Sequence, residues 1–227
     1  MKKYKLVEDK INMKNTTLYK IVALKDFGNI NTGDIGGWIE SERNLLHTGD
    51  AWVCGDARVY GDARVYGNAR VYDDAWVYGD AWVYGNARVC GDARVYGNAR
   101  VCGDALVYDD AWVYGDAWVY GDARVCGDAR VCGDAWVYGD ARVCGDARVY
   151  GDARVCGDAW DKPPLYIAGS KFSLTNSKHG HIQIGCLERS FEEWKKNYIS
   201  IAHDHGFTEK EIEEYGTYID LFVKFGK

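Results

Sequence analysis

Gly61-Asp62-Ala63-Arg64-Val65-Tyr66 is followed at once by Gly67-Asn68-Ala69-Arg70-Val71-Tyr72, and the six-residue unit G-D-A-(R/W)-V-(Y/C) runs unbroken from Gly49. Eighteen complete hexads begin between Gly49 and Gly151, and a shortened unit, Gly157 to Trp160, closes the run. A strict period outranks every other sequence feature, because each unit must then be one small structural element stacked on its neighbours. Ala and Val stand two apart, so period-two alternation puts them on one side of a short strand and Arg/Trp and Tyr/Cys on the other. Gly tolerates unusual backbone angles and Asp or Asn bonds to nearby backbone, so the Gly-Asp or Gly-Asn pair turns the chain. No hexad can bury its Ala/Val side alone, so coils stack and share a narrow core.

Composition bounds the rest. A chain of 227 residues can bury a real core, and one elongated solenoid with end domains fits it. A formal net charge of −6 speaks against general nucleic-acid binding. No apolar run is long enough for a membrane span. The start, Met1-Lys2-Lys3-Tyr4-Lys5, lacks the apolar core of a signal peptide, so the expected location is the cytoplasm. Seven of the eight cysteines (Cys54, Cys90, Cys102, Cys126, Cys132, Cys144 and Cys156) occupy the sixth hexad position, where Tyr otherwise stands. They are expected to fill a surface column as free thiols.

An aliphatic residue every six positions (Val53, Val59, Val65), with a small one two before it (Ala51, Ala57, Ala63), resembles the left-handed parallel β-helix of hexapeptide-repeat proteins. The resemblance, not the period, implies a triangular coil of three hexads and the left hand. A right-handed solenoid is the alternative, and it rarely keeps so strict a six-residue period. The implied fold is an all-β solenoid of about six coils, roughly 29 Å tall at ~4.8 Å per coil. Its domains are an N-terminal β cap (1–48), the β-helix (49–160) and a small C-terminal α/β cap (161–227). Ile35-Gly36-Gly37-Trp38-Ile39 ahead of the repeats, and Ile182-x-Ile184-Gly185-Cys186 with Glu193-Trp194 behind them, are similar to uncharacterised bacterial and prophage proteins of this type.

A cap is needed because the first coil would otherwise expose open strand edges. At the far end Asp161-Lys162-Pro163-Pro164 breaks the pattern. Strands are expected over Leu165–Ala168, Phe172–Thr175 and His181–Ile184. Ser190-Phe191-Glu192-Glu193 and Thr208-Glu209-Lys210-Glu211 open two helices with capping-box spacing.

Stacking every 18 residues sorts the outward fourth positions into three columns. They read Arg58, Trp76, Arg94, Trp112, Arg130, Arg148; then Arg64, Trp82, Arg100, Trp118, Trp136, Arg154; then Trp52, Arg70, Arg88, Leu106, Arg124, Arg142, Trp160. Arg between Trp suits cation–π contact and relieves Arg–Arg repulsion, which makes self-stabilising ladders. The same residues, with sixth-position tyrosines such as Tyr78, Tyr84, Tyr114 and Tyr120, suit a binding face: a homo-oligomer contact, a host protein, or a nucleotide held by Arg on phosphate and Trp/Tyr on base. Asp or Asn fills every second position, as in the corner Asp50, Asn68, Asn86, Asp104, Asp122, Asp140, Asp158. Turn bonding is their expected duty, with Asn68 and Asn86 interrupting carboxylate repulsion. Asp73 and Asp109 stand in glycine positions two coils apart.

Enzymatic readings fare poorly. The resemblance brings with it acyltransferases, whose base is a His on a coil beside a protruding loop, and carbonic anhydrases with three prism histidines on zinc. Residues 49–160 contain no His and no insertion, and so offer no evident cleft. His47, His179, His181, His203 and His205 all lie outside. No catalytic residue, metal site or cofactor is expected. The leading expectation is a non-enzymatic, self-associating scaffold or binding protein. A sequestering protein of the prophage type is the alternative.

Overall fold

The two-residue strands of the hexads build three parallel sheets around a triangular core. The computed structural model describes residues 2–157, 159–160 (backbone only) and 164–226. Successive strands of each sheet lie one 18-residue coil apart, as in Arg58↔Trp76↔Arg94↔Trp112↔Arg130↔Arg148. The Arg64 face runs Arg64↔Trp82↔Arg100↔Trp118↔Trp136↔Arg154. The Arg70 face runs from Trp52 through Arg70, Arg88, Leu106 and Arg124 to Arg142. Every inward Ala and Val from Ala51 to Val155 is buried in one continuous core. Backbone bonds such as Arg58 N to Ala75 O (2.9 Å) and Tyr60 N to Val77 O (3.1 Å) tie each coil to the next.

Glycine is required at the corners for two reasons. Gly85 has φ +70°, and a Cβ there would lie 3.0 Å from the backbone nitrogen of Gly103, one coil on. Asp73 and Asp109 depart from glycine yet hold φ 57° and 58°, a conformation Asp tolerates better than most residues. Their carboxylates explain the exchange: Asp73 Oδ2 accepts from Gly91 N, and Asp109 Oδ2 from Gly127 N, each at 3.3 Å.

The solenoid makes about seven turns, one more than the hexads alone provide, because the N-terminal segment contributes a coil. Strands β1 (Tyr4–Asn12) and β2 (Thr17–Ala23) pair antiparallel, and β3 (Ile35–Ile39) then joins the Arg58 face in parallel, Trp38 beside Arg58. The three sheet edges are closed in three ways. On the Arg58 face β3 donates from Trp38 N to Ala57 O (2.9 Å) and from Glu40 N to Val59 O (3.1 Å). On the Arg64 face the buried Asn44 amide donates to Gly61 O (2.9 Å) and Ala63 O (3.0 Å). On the Arg70 face the buried Lys3 ammonium donates to Gly49 O (3.3 Å) and Ala51 O (2.7 Å). Burial pushes the pKa of that lysine down to about 8, partly offset by Asp50.

Three expectations are corrected. Trp52 is not an outward rung: it is 1% exposed, packed edge-on against Phe27 (5.4 Å) and Tyr4 (6.2 Å) of the cap. Trp160 does not continue the Arg70 column, because the register slips by one and sets it opposite Val143. The cysteines are not all free: Cys126 and Cys144 form a disulfide. They are one coil apart with Cα atoms 4.6 Å from each other, within disulfide reach. Asp158 and the break at Asp161-Lys162-Pro163 lie outside the described residues.

Beyond the prism, Tyr166–Ala168, Ser173–Asn176, His181–Ile184 and Leu187–Ser190 form an antiparallel sheet, the last strand unforeseen. Helices α1 (Phe191–Asp204) and α2 (Glu209–Phe225) follow, both opened by the expected capping boxes at Ser190/Glu193 and Thr208/Glu211. Trp194, Tyr215, Ile219 and Phe222 pack on Leu174 and Ile182 of the sheet. Cys156 N donates to Ser177 O (2.8 Å), and Ser173 Oγ and the Tyr166 hydroxyl both donate to the Asp152 carboxylate, which docks this unit on the last coil. No helix among the described residues is long and apolar enough to cross a membrane.

The corner geometry makes opposite predictions for two neighbouring substitutions. Gly85→Ala should lower the unfolding free energy by about 1–2 kcal/mol or more, since it meets both the positive φ and the Gly103 backbone. Asp73→Gly should change it by less than about 1 kcal/mol, because a weak bond is lost while backbone strain is relieved. Guanidinium unfolding followed by circular dichroism reads both.

Candidate functional site

Alternation along two-residue strands turns the fourth and sixth hexad positions outward, Trp52 under the cap excepted, so the residues expected to bind stand in columns. On the Arg58 face, the guanidinium of Arg58 lies 4.8 Å and that of Arg94 5.5 Å from the Trp76 ring. Arg94 and Arg130 flank Trp112 at 5.0 and 5.1 Å. On the Arg64 face, Arg64 and Arg100 flank Trp82 at 5.7 and 5.4 Å, and Arg100 lies 4.7 Å from Trp118. Trp118 stacks on Trp136 at 5.5 Å, and Arg154 covers the other side of Trp136 at 4.8 Å.

The sixth-position column beside them is stacked as well. Tyr60, Tyr78, Tyr96 and Tyr114 lie almost parallel with centroids 4.9–5.1 Å apart. Tyr66 and Tyr84 stack at 4.9 Å, and Tyr120 and Tyr138 at 5.3 Å. Edge contacts weld the two columns of a face together, as in Tyr60 to Trp76 (6.3 Å) and Tyr120 to Trp136 (6.2 Å). Spacing of ~4.8 Å between coils is close to the ideal separation of stacked aromatic groups, so the backbone ladder imposes the stack. All thirteen residues are thus brought into two sets of ladders: Arg58, Trp76, Arg94, Trp112, Tyr78 and Tyr114 on one face, and Arg64, Trp82, Arg100, Trp118, Trp136, Tyr84 and Tyr120 on the other.

Chemically, this arrangement offers ring edges and guanidinium edges. Both faces of Trp76, Trp82 and Trp112 are covered by arginines, so a nucleotide base would have to part a ladder to stack there. The corners are bonded along the axis too: Asn68 Nδ2 donates to Asn86 Oδ1 (3.1 Å), Asn86 Nδ2 to Asp104 Oδ1 (2.9 Å) and Asn98 Nδ2 to Asp116 Oδ1 (2.8 Å). Asparagine therefore turns a repulsive carboxylate column into a chain of hydrogen bonds.

A cleft exists where the terminal unit docks on the prism, a place the expectation drawn from the uninterrupted repeats did not cover. It measures about 570 Å³ and lies between the last coils of the Arg64 face and the terminal sheet, with Trp136, Arg154, Asp134 and Gln183 in its lining. Its position depends on how the terminal unit docks, which no repeat pattern encodes. Lys171 in its wall is engaged by His205 O (3.2 Å) and Gly206 O (2.8 Å), and Asp152 by Ser173 and Tyr166. The histidines serve locally: His47 Nδ1 accepts from Lys3 N (3.1 Å), and His203 faces Glu209 at 3.9 Å. Among the described residues no group of three or more His, Cys, Asp or Glu side chains could hold a metal ion.

The tyrosine columns give the protein a pH dependence. Burial pushes Tyr60, Tyr72 and Tyr84 up to about 12, helped in the last two by hydrogen bonds to Cys90 and Cys102. A hydrogen bond with Cys132, then burial, pushes Tyr114 up to about 12. Unfolded tyrosines ionise near 10.0. Between these values the unfolded chain has lost protons that the folded chain keeps. This contribution to stability is therefore complete below pH ~10 and is lost as pH rises toward ~12. Tyrosinate absorbance should rise late and together with loss of circular dichroism. Independent titration of Tyr60, Tyr84 and Tyr114 near the ordinary tyrosine value, with the fold intact, would contradict the stacked columns.

Nine stretches of the prism match the family model described as YdcK Beta solenoid repeat: residues 51–67, 63–79, 81–97, 87–103, 93–109, 99–115, 123–139, 141–157 and 147–161. No curated protein matches the chain. The prism is a β-solenoid whose repeats are similar to that family's, and together the matches span a little under half of the chain.

Proposed function

We propose that the protein is a non-enzymatic β-solenoid scaffold that works through its outer surface and associates with further copies of itself. The observation that carries this reading is the pair of Arg/Trp ladders with stacked tyrosines beside them, whose ring faces are occupied and whose edges are held at fixed height by the backbone. Such a surface is preorganised, so a partner that meets it orders few side chains on binding. Ordered aromatic surface of this extent favours coverage by protein. The closed N-terminal edges, sealed by β3, Asn44 and Lys3, oppose end-to-end growth and leave the flanks for contact. The coils carry no His and no inserted loop to build a reaction site upon.

The mass of the native protein, purified from its own host and compared with its denatured mass, tests this proposal. A multimer of the bare chain is expected. A monomer carrying an additional mass of a few hundred daltons, released on denaturation, would overturn the scaffold in favour of a small-molecule site.

A further inference from the structure

The Arg70 face differs from the other two. Arg88, Arg124 and Arg142 are exposed, and among the described residues they have neither an ion-pair partner nor an aromatic ring beneath them. Along one edge of the same face runs the corner Asp56, Asp74, Asp92, Asp110, Asp128 and Asp146; Asp56 is met by Lys20 (3.8 Å), but the carboxylates of the other five are exposed and, among the described residues, have no hydrogen bond or ion pair. In the other two corners Asn68, Asn86 and Asn98 bond to the next coil, although Asp122 and Asp140, on the opposite edge of the Arg70 face, are exposed carboxylates too. The Asp74 corner has no asparagine, and Asp73 and Asp109 add two further carboxylates beside it. One face therefore carries a column of unpaired cations and, parallel to it at the same coil spacing, a column of unpaired carboxylates.

We propose that this striped face docks a second copy of the chain, with the two prisms side by side and their axes parallel. The proposal rests on the self-association reading above and adds to it a contact on the one face without Arg/Trp ladders, leaving the two laddered faces open to further copies. Symmetry fixes the orientation. The Arg column runs down the face, with the unbroken carboxylate column along one side of it and the shorter, asparagine-interrupted one along the other. A two-fold axis parallel to the prism lays each copy's carboxylate edge on the other's Arg column, reciprocally. A two-fold axis lying across the face would set carboxylates on carboxylates. Because both columns share one period, coils of equal height meet throughout: Arg88 with the partner's Asp92, Arg124 with the partner's Asp128, Arg142 with the partner's Asp146. Self-complementary patches of this kind make closed dimers. A nucleic acid on the same arginines would have to lie along the carboxylate edge, and the chain's net charge of −6 also opposes it.

Sedimentation velocity of three chains tests the docking: the wild type, Arg88→Glu/Arg124→Glu/Arg142→Glu, and Asp92→Arg/Asp128→Arg/Asp146→Arg. The wild-type dissociation constant should rise at least about tenfold between about 0.05 and about 0.5 M salt. Each variant alone should be weakened at least about tenfold at low salt, with circular dichroism unchanged. An equal mixture of the two variants should dimerise again, since every contact is then between opposite charges. If both variants associate as the wild type does, the docking face lies elsewhere, while self-association stands. A wild type that is monomeric at every salt concentration overturns both readings. Association abolished by nuclease treatment overturns the docking in favour of nucleic acid on the Arg column.

Discussion

A corner glycine sitting directly over the backbone of the next corner glycine is the contact on which everything else depends. At Gly85 the left-handed backbone and the 3.0 Å approach to Gly103 leave no room for a side chain. Only that corner lets a two-residue strand turn and bring the chain back one coil on with its hydrogen bonds in register. Ala and Val then fill an interior too narrow for larger residues, where each extra methylene would strain the packing. The two exceptions, Asp73 and Asp109, support the rule: each keeps the glycine conformation and adds a carboxylate bond to the following coil.

Once the coils are stacked, the outside has no freedom to be irregular. Side chains at equivalent positions must lie about one coil spacing apart, so each column has to be made of residues that tolerate stacking on themselves. Arg between Trp, Tyr on Tyr, Asn onto Asp and a disulfide across adjacent coils are four chemical answers to that demand. Their consequence is functional. Groups that elsewhere grip ligands are turned toward one another, and what the prism presents is a fixed pattern of edges and charges. On the Arg70 face the pattern is left unmatched at Arg88, Arg124 and Arg142 and at the Asp92, Asp128 and Asp146 carboxylates, which lack ion-pair partners among the described residues.

Much of this was legible in the residues. Period six with Ala and Val two apart identifies the inner face, the glycine corners and, at 18-residue stacking, the composition of each column. Ser190/Glu193 and Thr208/Glu211 mark both helix starts. Other features depend on tertiary placement. Trp52 occupies an outward position but is roofed by Phe27, and nothing in its own hexad distinguishes it from Trp76. Closure of two sheet edges by Lys3 and Asn44 could not be anticipated from a lysine near the start of the chain and an asparagine in a loop. The disulfide has a signal in the sequence: Cys126 and Cys144 are the only cysteines in the chain 18 residues apart. Their exchange with tyrosine elsewhere in the columns suggested mere filling.

The contacts within the outer columns run from coil to coil, so they should hold the stack together. Guanidinium unfolding of a chain with Trp76→Ala and Trp112→Ala measures this most directly, because these two rings contact Arg58, Arg94 and Arg130 in four places. At about 0.5–1 kcal/mol per exposed cation–π contact, the unfolding free energy should fall by about 2–4 kcal/mol. A change below about 0.5 kcal/mol would mean that the ladders contribute nothing to the fold.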